Sequence, residues 1–293
     1  MQDTRLEMTG RTRVYGIIGD PVVHSLSPLM QNAAFRELAI DAVYVPFQVK
    51  PAEISSAIIG IRSLGIAGFN VTIPHKISVI GLLEDLSREA SLIGAVNTVV
   101  REGESLVGHN TDAQGFINSL RDDLDYDPAG SRVLLLGAGG AARAALVSLS
   151  QAGISEVTVA NRTSETAEEM MALLRRTGAA TTGNTASLQI FADADRMQSF
   201  DLVVNTTSIG MGGTSLPGFS INTLHPDAKI YDMVYVPSET PLIQAARNAG
   251  HSAANGIGML AAQGEAAFRL WTGYDPPQGL MKASLLNAIG AKT

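Results

Sequence analysis

The chain has 293 residues, of which 45% are apolar and 17% charged; it contains no cysteine, and its formal net charge is -7. That is enough apolar material for one large domain or two ordinary ones. Disulfide scaffolds, Cys-ligated zinc and cysteine nucleophiles are excluded, and the negative balance, with no long basic run, speaks against a nucleic-acid or anionic-membrane surface.

The first thirteen residues, MQDTRLEMTGRTR, mix charges and hold no apolar core of a secretory signal. Val14–Gly19 then reads as a strand, followed by a helix over Ser27–Leu38 with Ser27 as N-cap and Pro28 at its first position. Val43–Val49 reads as a strand, Pro51–Ser63 as a helix, and Ala67–Val71 and Gly94–Val100 as strands. Asp112 opens a helix that ends near Arg121, and the acidic, turn-rich stretch 121–131 approaches a second unit. There Arg132–Leu136 is an apolar strand running into glycines and a helix through Gln151. Val157–Ala160 is the next strand, Ser164–Arg176 a helix, and 177–187 a polar loop. Leu202–Val204 and Ile230–Met233 read as later strands, and Gly256–Trp271 and Gly279–Ile289 as two closing helices. The most apolar run, 133–149, is broken by glycines and Arg143 and is too short to span a bilayer. A cytoplasmic protein is expected.

Alternating strands and helices of this kind predict an α/β fold. Two domains are expected. An N-terminal α/β substrate domain covers 1–112 and is completed by helices in 253–293. A Rossmann-type, doubly wound nucleotide-binding domain covers 113–252.

Gly137-Ala138-Gly139-Gly140-Ala141-Ala142 stands between an apolar strand and a helix, which is the setting of a dinucleotide-binding turn. Gly137 permits the turn, Gly139 lets a phosphate approach the backbone, and Ala142 is small enough for close helix–strand packing. The helix N-terminus offers free N–H groups to a pyrophosphate. After the next strand come Asn161-Arg162-Thr163. NAD sites tend to carry an acidic residue there, which would repel a 2′-phosphate, whereas a guanidinium pairs with one. NADP(H) is therefore expected. Arg162 also reads as a solvated arginine and Thr163 as a helix cap.

The first domain gathers polar residues at strand ends: Ser25 and Ser27 in HSLSP, Asn70, Thr72 and Lys76 in NVTIPHK, Asn97 and Thr98 in AVNT, and Asn110, Thr111 and Asp112 in HNTD. In open α/β sheets ligands bind outside the carboxyl ends of strands. Individually these residues read as caps, turn residues or a solvated lysine. Together they suggest a site for a hydroxylated anion. The five histidines form no spaced metal cluster, so no metal is expected. His24 and His75 read as packing or backbone-positioning residues. No G-x-S-x-G elbow marks a hydrolase.

In HSLSP, NVTIPHK, GAVNT, GHNTDAQGF, GAGGAA, NRT, NTTSIGM, DMVYVPSETPL and GMLAAQGEAAF, in that order along nearly its whole length, the chain resembles the shikimate dehydrogenase family. The resemblance implies reversible reduction of 3-dehydroshikimate to shikimate with NADPH, a step in making aromatic amino acids. It implies that Ser25 and Ser27 hold the substrate carboxylate. Thr72, Lys76, Asn97, Asp112 and Gln263 would surround the hydroxyls, Tyr235 would line the cleft, and Lys76 and Asp112 would be the catalytic pair. Asn205, Thr206, Met233 and Gly256 would lie near the cofactor, with Gly137, Ala138, Gly139, Gly140, Ala141, Asn161, Arg162 and Thr163. NADP-using members often carry a second basic residue shortly after NRT. Thr166 stands there in this chain, which implies a weaker preference for NADP over NAD. Two other readings remain open. One is activity on quinate; the other is a non-catalytic NADP(H)-sensing protein, which would need the glycine turn and Arg162 but not Lys76 with Asp112. A monomer or a homodimer fits either reading.

Overall fold

The computed structural model describes residues 8–290. The chain divides into two compact units, one running to residue 111 and resuming at 260, the other spanning 112–259.

The first unit holds β1 (Arg13–Gly19), α1 (Ser27–Glu37), β2 (Ala42–Gln48), α2 (Ile54–Ser63), β3 (Gly68–Val71), β4 (Asp85–Leu86), α3 (Arg88–Ile93), β5 (Thr98–Glu102) and β6 (Ser105–His109). Its six strands lie in the order β2-β1-β3-β5-β6-β4. β1 runs parallel to β2 and β3, while β5 runs antiparallel to β3 and β6. That reversal brings the end of β3, the start of β5 and the end of β6 to one edge, in the register Asn70↔Thr98↔His109.

The helical start proposed for Ser27 is corrected. Leu26 is the N-cap, Ser27 lies inside α1, and no side chain caps it. The strand expected over Gly94–Val100 begins only at Thr98, because Gly94 closes α3 in the left-handed conformation (φ 68°).

The second unit holds α4 (Asp112–Leu124), β7 (Arg132–Leu136), α5 (Gly140–Gln151), β8 (Glu156–Ala160), α6 (Ser164–Thr177), β9 (Thr182–Ala186), α7 (Ala194–Gln198), β10 (Leu202–Asn205), β11 (Lys229–Asp232), α8 (Pro241–Asn248) and β12 (Ala253–Asn255). Its six strands are all parallel, in the order β12-β11-β10-β7-β8-β9. Numbered within the unit this is 6-5-4-1-2-3, the doubly wound nucleotide-binding order, whose direction switches between β7 and β10. Central strands covered on both faces are apolar throughout, and Val133, Leu134, Leu135 and Leu136 are each no more than 1% exposed.

The stretch 177–187, read as a loop, contains β9. An edge strand has one unpaired side and needs no apolar pattern, and TGNTA pairs along β8 from Glu156↔Thr182 to Ala160↔Ala186. Residues 253–255 were assigned to the closing helices. They instead form β12, the sixth strand, which pairs with β11.

The last helices, α9 (Ile257–Thr272) and α10 (Leu280–Gly290), fall in the first unit from residue 260 onward. An aromatic cluster ties α9 in. Tyr15 lies 5.3 Å from both Phe35 and Trp271, and Phe35 lies 5.1 Å from Phe268. The Trp271 indole N–H donates to the Val99 carbonyl at 3.0 Å. Buried tryptophans find such partners, so one side chain contributes both apolar area and a register-setting bond. Among the described residues no helix is long and apolar enough to cross a membrane.

Candidate active site

In the second unit the nucleotide candidates stand at or shortly after the carboxyl ends of parallel strands. Gly137–Ala141 follow β7, Asn161–Thr163 β8, Thr206 β10 and Met233 β11, while Gly256 follows β12 and Asn205 ends β10. Five adjacent strands thus present their carboxyl ends on one edge, around the switch point.

The turn after β7 has the shape a pyrophosphate needs. Gly137 sits at φ +102°, and a Cβ there would stand 2.7 Å from Thr206 Oγ1. Thr206 is held by its own hydroxyl, which donates to the Leu136 carbonyl at 2.6 Å. By contrast, a Cβ on Gly139 would meet nothing within 4 Å, so the backbone is open toward the space in front of α5. Gly139 is the N-cap of α5 and no side chain occupies the cap, which leaves the first-turn N–H groups to an anion. Gly256 has a different reason to be glycine: a Cβ would lie 2.3 Å from the Met233 carbonyl oxygen.

After β8, Asn161 Nδ2 donates to the Thr163 carbonyl at 3.0 Å and to Thr166 Oγ1 at 2.5 Å, and the Thr166 hydroxyl donates to the same carbonyl at 3.0 Å. A carbonyl only accepts, so this contact fixes which end of the amide is NH₂. Asn161 is thus held by the Thr163 carbonyl and by Thr166, which stands where NADP-using members often carry a second base. Arg162 and Thr163 are exposed, and Thr163, although it occupies the N-cap of α6, makes no cap bond. Asn205 is fully buried. Its amide donates to Asp232 Oδ1 and the Ile209 carbonyl, and its Oδ1 accepts from the Thr207 N–H and hydroxyl. Its polar side-chain atoms are all engaged within the protein, so it shapes the loop.

In the first unit Asn70, Asn97, Thr98, Thr111 and Gln263 join one buried network. The Tyr44 hydroxyl donates to Asn70 Oδ1 at 2.7 Å. Asn70 Nδ2 donates to the Asn97 carbonyl and to Thr98 Oγ1, both at 3.0 Å. Asn97 Nδ2 donates to Thr111 Oγ1 at 2.9 Å and to Gln263 Oε1 at 3.3 Å, and Asn97 Oδ1 accepts from the Thr111 N–H at 2.8 Å. Gln263, on α9, is itself oriented by donating to the Leu260 carbonyl at 2.8 Å. The Tyr44 phenol is pushed well up by burial, opposed by a hydrogen bond with Ser27. Ser25 Oγ accepts from the Ser27 N–H at 3.3 Å, which pins the two serines together.

Thr72 and Lys76, both half-buried, follow β3. The Thr72 N–H donates to the Ile18 carbonyl at 2.9 Å, and the Lys76 carbonyl accepts from the Val96 N–H at 2.7 Å. Between them His75 is buried with Nε2 2.6 Å from the Val49 carbonyl, as a backbone-positioning histidine would be. His24 is exposed. Asp112, at the start of α4, is 4% exposed. Tyr235 is half-buried, and burial raises its phenol pKa. Among the described residues no group of three or more acidic or histidine side chains could hold a metal ion.

Tyr44, which the motifs do not single out, belongs to the network. Its sequence neighbourhood is an ordinary apolar strand, and only the pairing of β1 with β2 and β3 puts its hydroxyl beside Asn70.

Comparison with known proteins agrees along the whole chain. Family models match in order: the shikimate dehydrogenase substrate binding domain over 17–99, shikimate / quinate 5-dehydrogenase over 121–209, and the shikimate 5′-dehydrogenase C-terminal domain over 256–286. The shikimate dehydrogenase (NADP+) of Geobacter metallireducens is 52% identical over 284 residues, 97% of this chain and 99% of that protein. A shikimate dehydrogenase crystallised in complex with NADP+ superposes with a TM-score of 0.86 at 36% identity, covering 97% of this chain and 98% of that one. The shikimate 5-dehydrogenase of Listeria monocytogenes, in complex with shikimate and NAD, gives a TM-score of 0.85 at 33% identity, covering 95% and 98%. Both the motifs and the folds that carry them are shared from the first strand to the closing helices, and the chain belongs to the shikimate dehydrogenase family.

Proposed function

We propose that this chain catalyses the reversible reduction of 3-dehydroshikimate to shikimate with NADPH, as a step in aromatic amino acid biosynthesis. The observation that carries the reading is identity of 52% across 97% of the chain to a protein named for that activity. In this reading the first unit takes the substrate and the second takes NADP(H). The active form is a cytoplasmic monomer or homodimer.

The open backbone at Gly139, the uncapped start of α5 and the crowded Gly137 turn fit the pyrophosphate, and Arg162 with the oriented Asn161 fits the phosphorylated adenosine ribose. Bound NADPH supplies the hydride that goes to the carbonyl carbon. The protein must deliver a proton to the carbonyl oxygen and hold the ring. Lys76 donates that proton from Nζ and stabilises negative charge developing on oxygen; Asp112 acts with it. Ser25 and Ser27 bind the carboxylate as neutral donors. Thr72, Asn97 and Gln263 bind ring hydroxyls, and Tyr235 closes one side of the substrate.

The test is nicotinamide absorbance on mixing the protein with NADP+ and shikimate, then quinate. Turnover of shikimate is expected. Binding of NADP+ without turnover of either acid would leave the sensor reading, and faster turnover of quinate would move the substrate assignment, which the shikimate / quinate model over 121–209 makes worth testing.

Ser27→Ala is expected to raise the KM for shikimate about fivefold, because the hydroxyl exchanges its bond to Tyr44 for one to the anion and so adds only about 1 kcal/mol net. The fold should survive, since Ser27 makes no cap bond. Unchanged shikimate affinity in a folded Ser25→Ala/Ser27→Ala protein would remove both serines from the site.

A further inference from the structure

One buried carboxylate of the second unit has no part in the reaction just described. Asp232, the last residue of β11, has no exposed surface. Burial raises its pKa, against lowering by bonds from Thr240, the Val234 N–H and Asn205. It lies directly opposite Asn205, the last residue of β10, in the parallel ladder.

Asp232 Oδ1 accepts from Asn205 Nδ2 at 2.9 Å and from the Val234 N–H at 3.1 Å, and Oδ2 accepts from the Thr240 hydroxyl at 2.6 Å. Asn205 in turn donates to the Ile209 carbonyl at 3.0 Å and accepts from the Thr207 N–H at 3.1 Å and hydroxyl at 2.7 Å. The Met233 N–H closes the group by donating to the Asn205 carbonyl at 2.9 Å. One acceptor-only side chain thus joins the loop after β10, the loop after β11 and Thr240, whose side chain caps α8. An apolar side chain at this position would take the acceptor from three buried donors, the Asn205 amide, the Val234 N–H and the Thr240 hydroxyl. A buried carboxylate is costly unless its oxygens are satisfied, and here both are satisfied by groups at and after the ends of β10 and β11, among the strand ends that carry the cofactor candidates.

We propose that Asp232 is a positioning residue which, acting through Asn205, holds the 206–210 and 233–235 loops and thereby sets the pose of the nicotinamide half of NADP(H). The adenosine half is assigned to the glycine turn and Arg162, and of those loops Thr206 and Thr207 pack against that turn; Thr207→Val keeps the methyl that does so. The proposal rests on the cofactor reading given above.

Its signature is a split between the two halves of the dinucleotide, read by titration calorimetry with NADP+ and with 2′,5′-ADP, which carries the adenosine half alone. Asp232→Ala is expected to weaken NADP+ about tenfold and lower kcat about tenfold, with 2′,5′-ADP affinity within twofold of wild type. Asp232→Asn keeps Oδ1 and can donate to Thr240 Oγ1, and it should restore both losses to within threefold. Thr207→Val removes one donor to Asn205 Oδ1 without touching the carboxylate. It should weaken NADP+ about threefold and 2′,5′-ADP not at all, and it decides the matter if the alanine variant does not fold. Equal loss of both ligands, loss of neither, or failure of the asparagine variant to rescue would overturn the proposal. Failure of the wild-type protein to bind NADP+ would instead overturn the cofactor reading itself.

Discussion

Lys76→Ala is expected to lower kcat for shikimate oxidation by about 10²–10⁴, the usual scale for loss of a general acid–base group. Oxidising a secondary alcohol removes a hydride from carbon and a proton from oxygen; the reverse reaction returns both. A lysine ammonium suits the donor role in reduction, since it donates from Nζ and offsets the charge that develops on oxygen as hydride moves. The KM for shikimate should change much less, because that interaction is made mainly in the transition state. The fold should tolerate the change, since Lys76 is only half-buried and its backbone carbonyl still accepts from Val96. Asp112→Asn should also lower kcat, and the double variant should lose less than the sum of the two, as expected for residues serving one proton-handling step. Steady-state kinetics with saturating NADP+ would check this. A folded Lys76→Ala protein with wild-type kcat would return Lys76 to the role of a solvated lysine.

Arg162→Ala is expected to raise the KM for NADP+ at least tenfold while leaving that for NAD+ nearly unchanged. A guanidinium–phosphate contact is a charged hydrogen bond, worth about 1.5–3 kcal/mol. Arg162 is exposed, so solvent screening places the loss toward the lower end of that range. NAD+ lacks the 2′-phosphate and has nothing to lose at this contact. Thr166, standing where NADP-using members often carry a second base, instead accepts from Asn161 Nδ2 at 2.5 Å and donates to the Thr163 carbonyl at 3.0 Å, so some use of NAD+ is expected alongside NADP+. Measuring both cofactors in the same variant decides it: parallel increases in the two KM values would show that Arg162 supports the loop and does not read the phosphate.

Much of this molecule could be read along the chain because its signals are local. An apolar strand, three glycines and a small residue before a helix announce a phosphate turn whatever lies around them, since the geometry is set by backbone conformation within a few residues. The Asn161-Arg162-Thr163 stretch speaks to cofactor choice in the same way, through charge at the end of one strand. Strands buried on both faces, such as 132–136, are apolar in sequence because they are apolar in space.

What the chain could not disclose depends on partners distant in sequence. β9 has polar composition and becomes a strand only because β8 offers it an edge. Ser27 looked like a helix cap because serine favours that place, yet the helix starts one residue earlier and the hydroxyl turns to Tyr44. Gln263 meets Asn97 across 166 residues of sequence. Asn205 stands at the end of a strand as its motif suggests, but only the structure shows that its amide donors and acceptor are engaged by Asp232, the Ile209 carbonyl and Thr207. Sequence by itself determined the fold class and offered the glycine motif between strand and helix and the candidate residues of the site, because those signals lie in local backbone chemistry and periodicity. Only the tertiary structure decided which buried polar atoms satisfy one another, because a hydrogen bond between strands depends on register and burial, and neither is a property of any single segment.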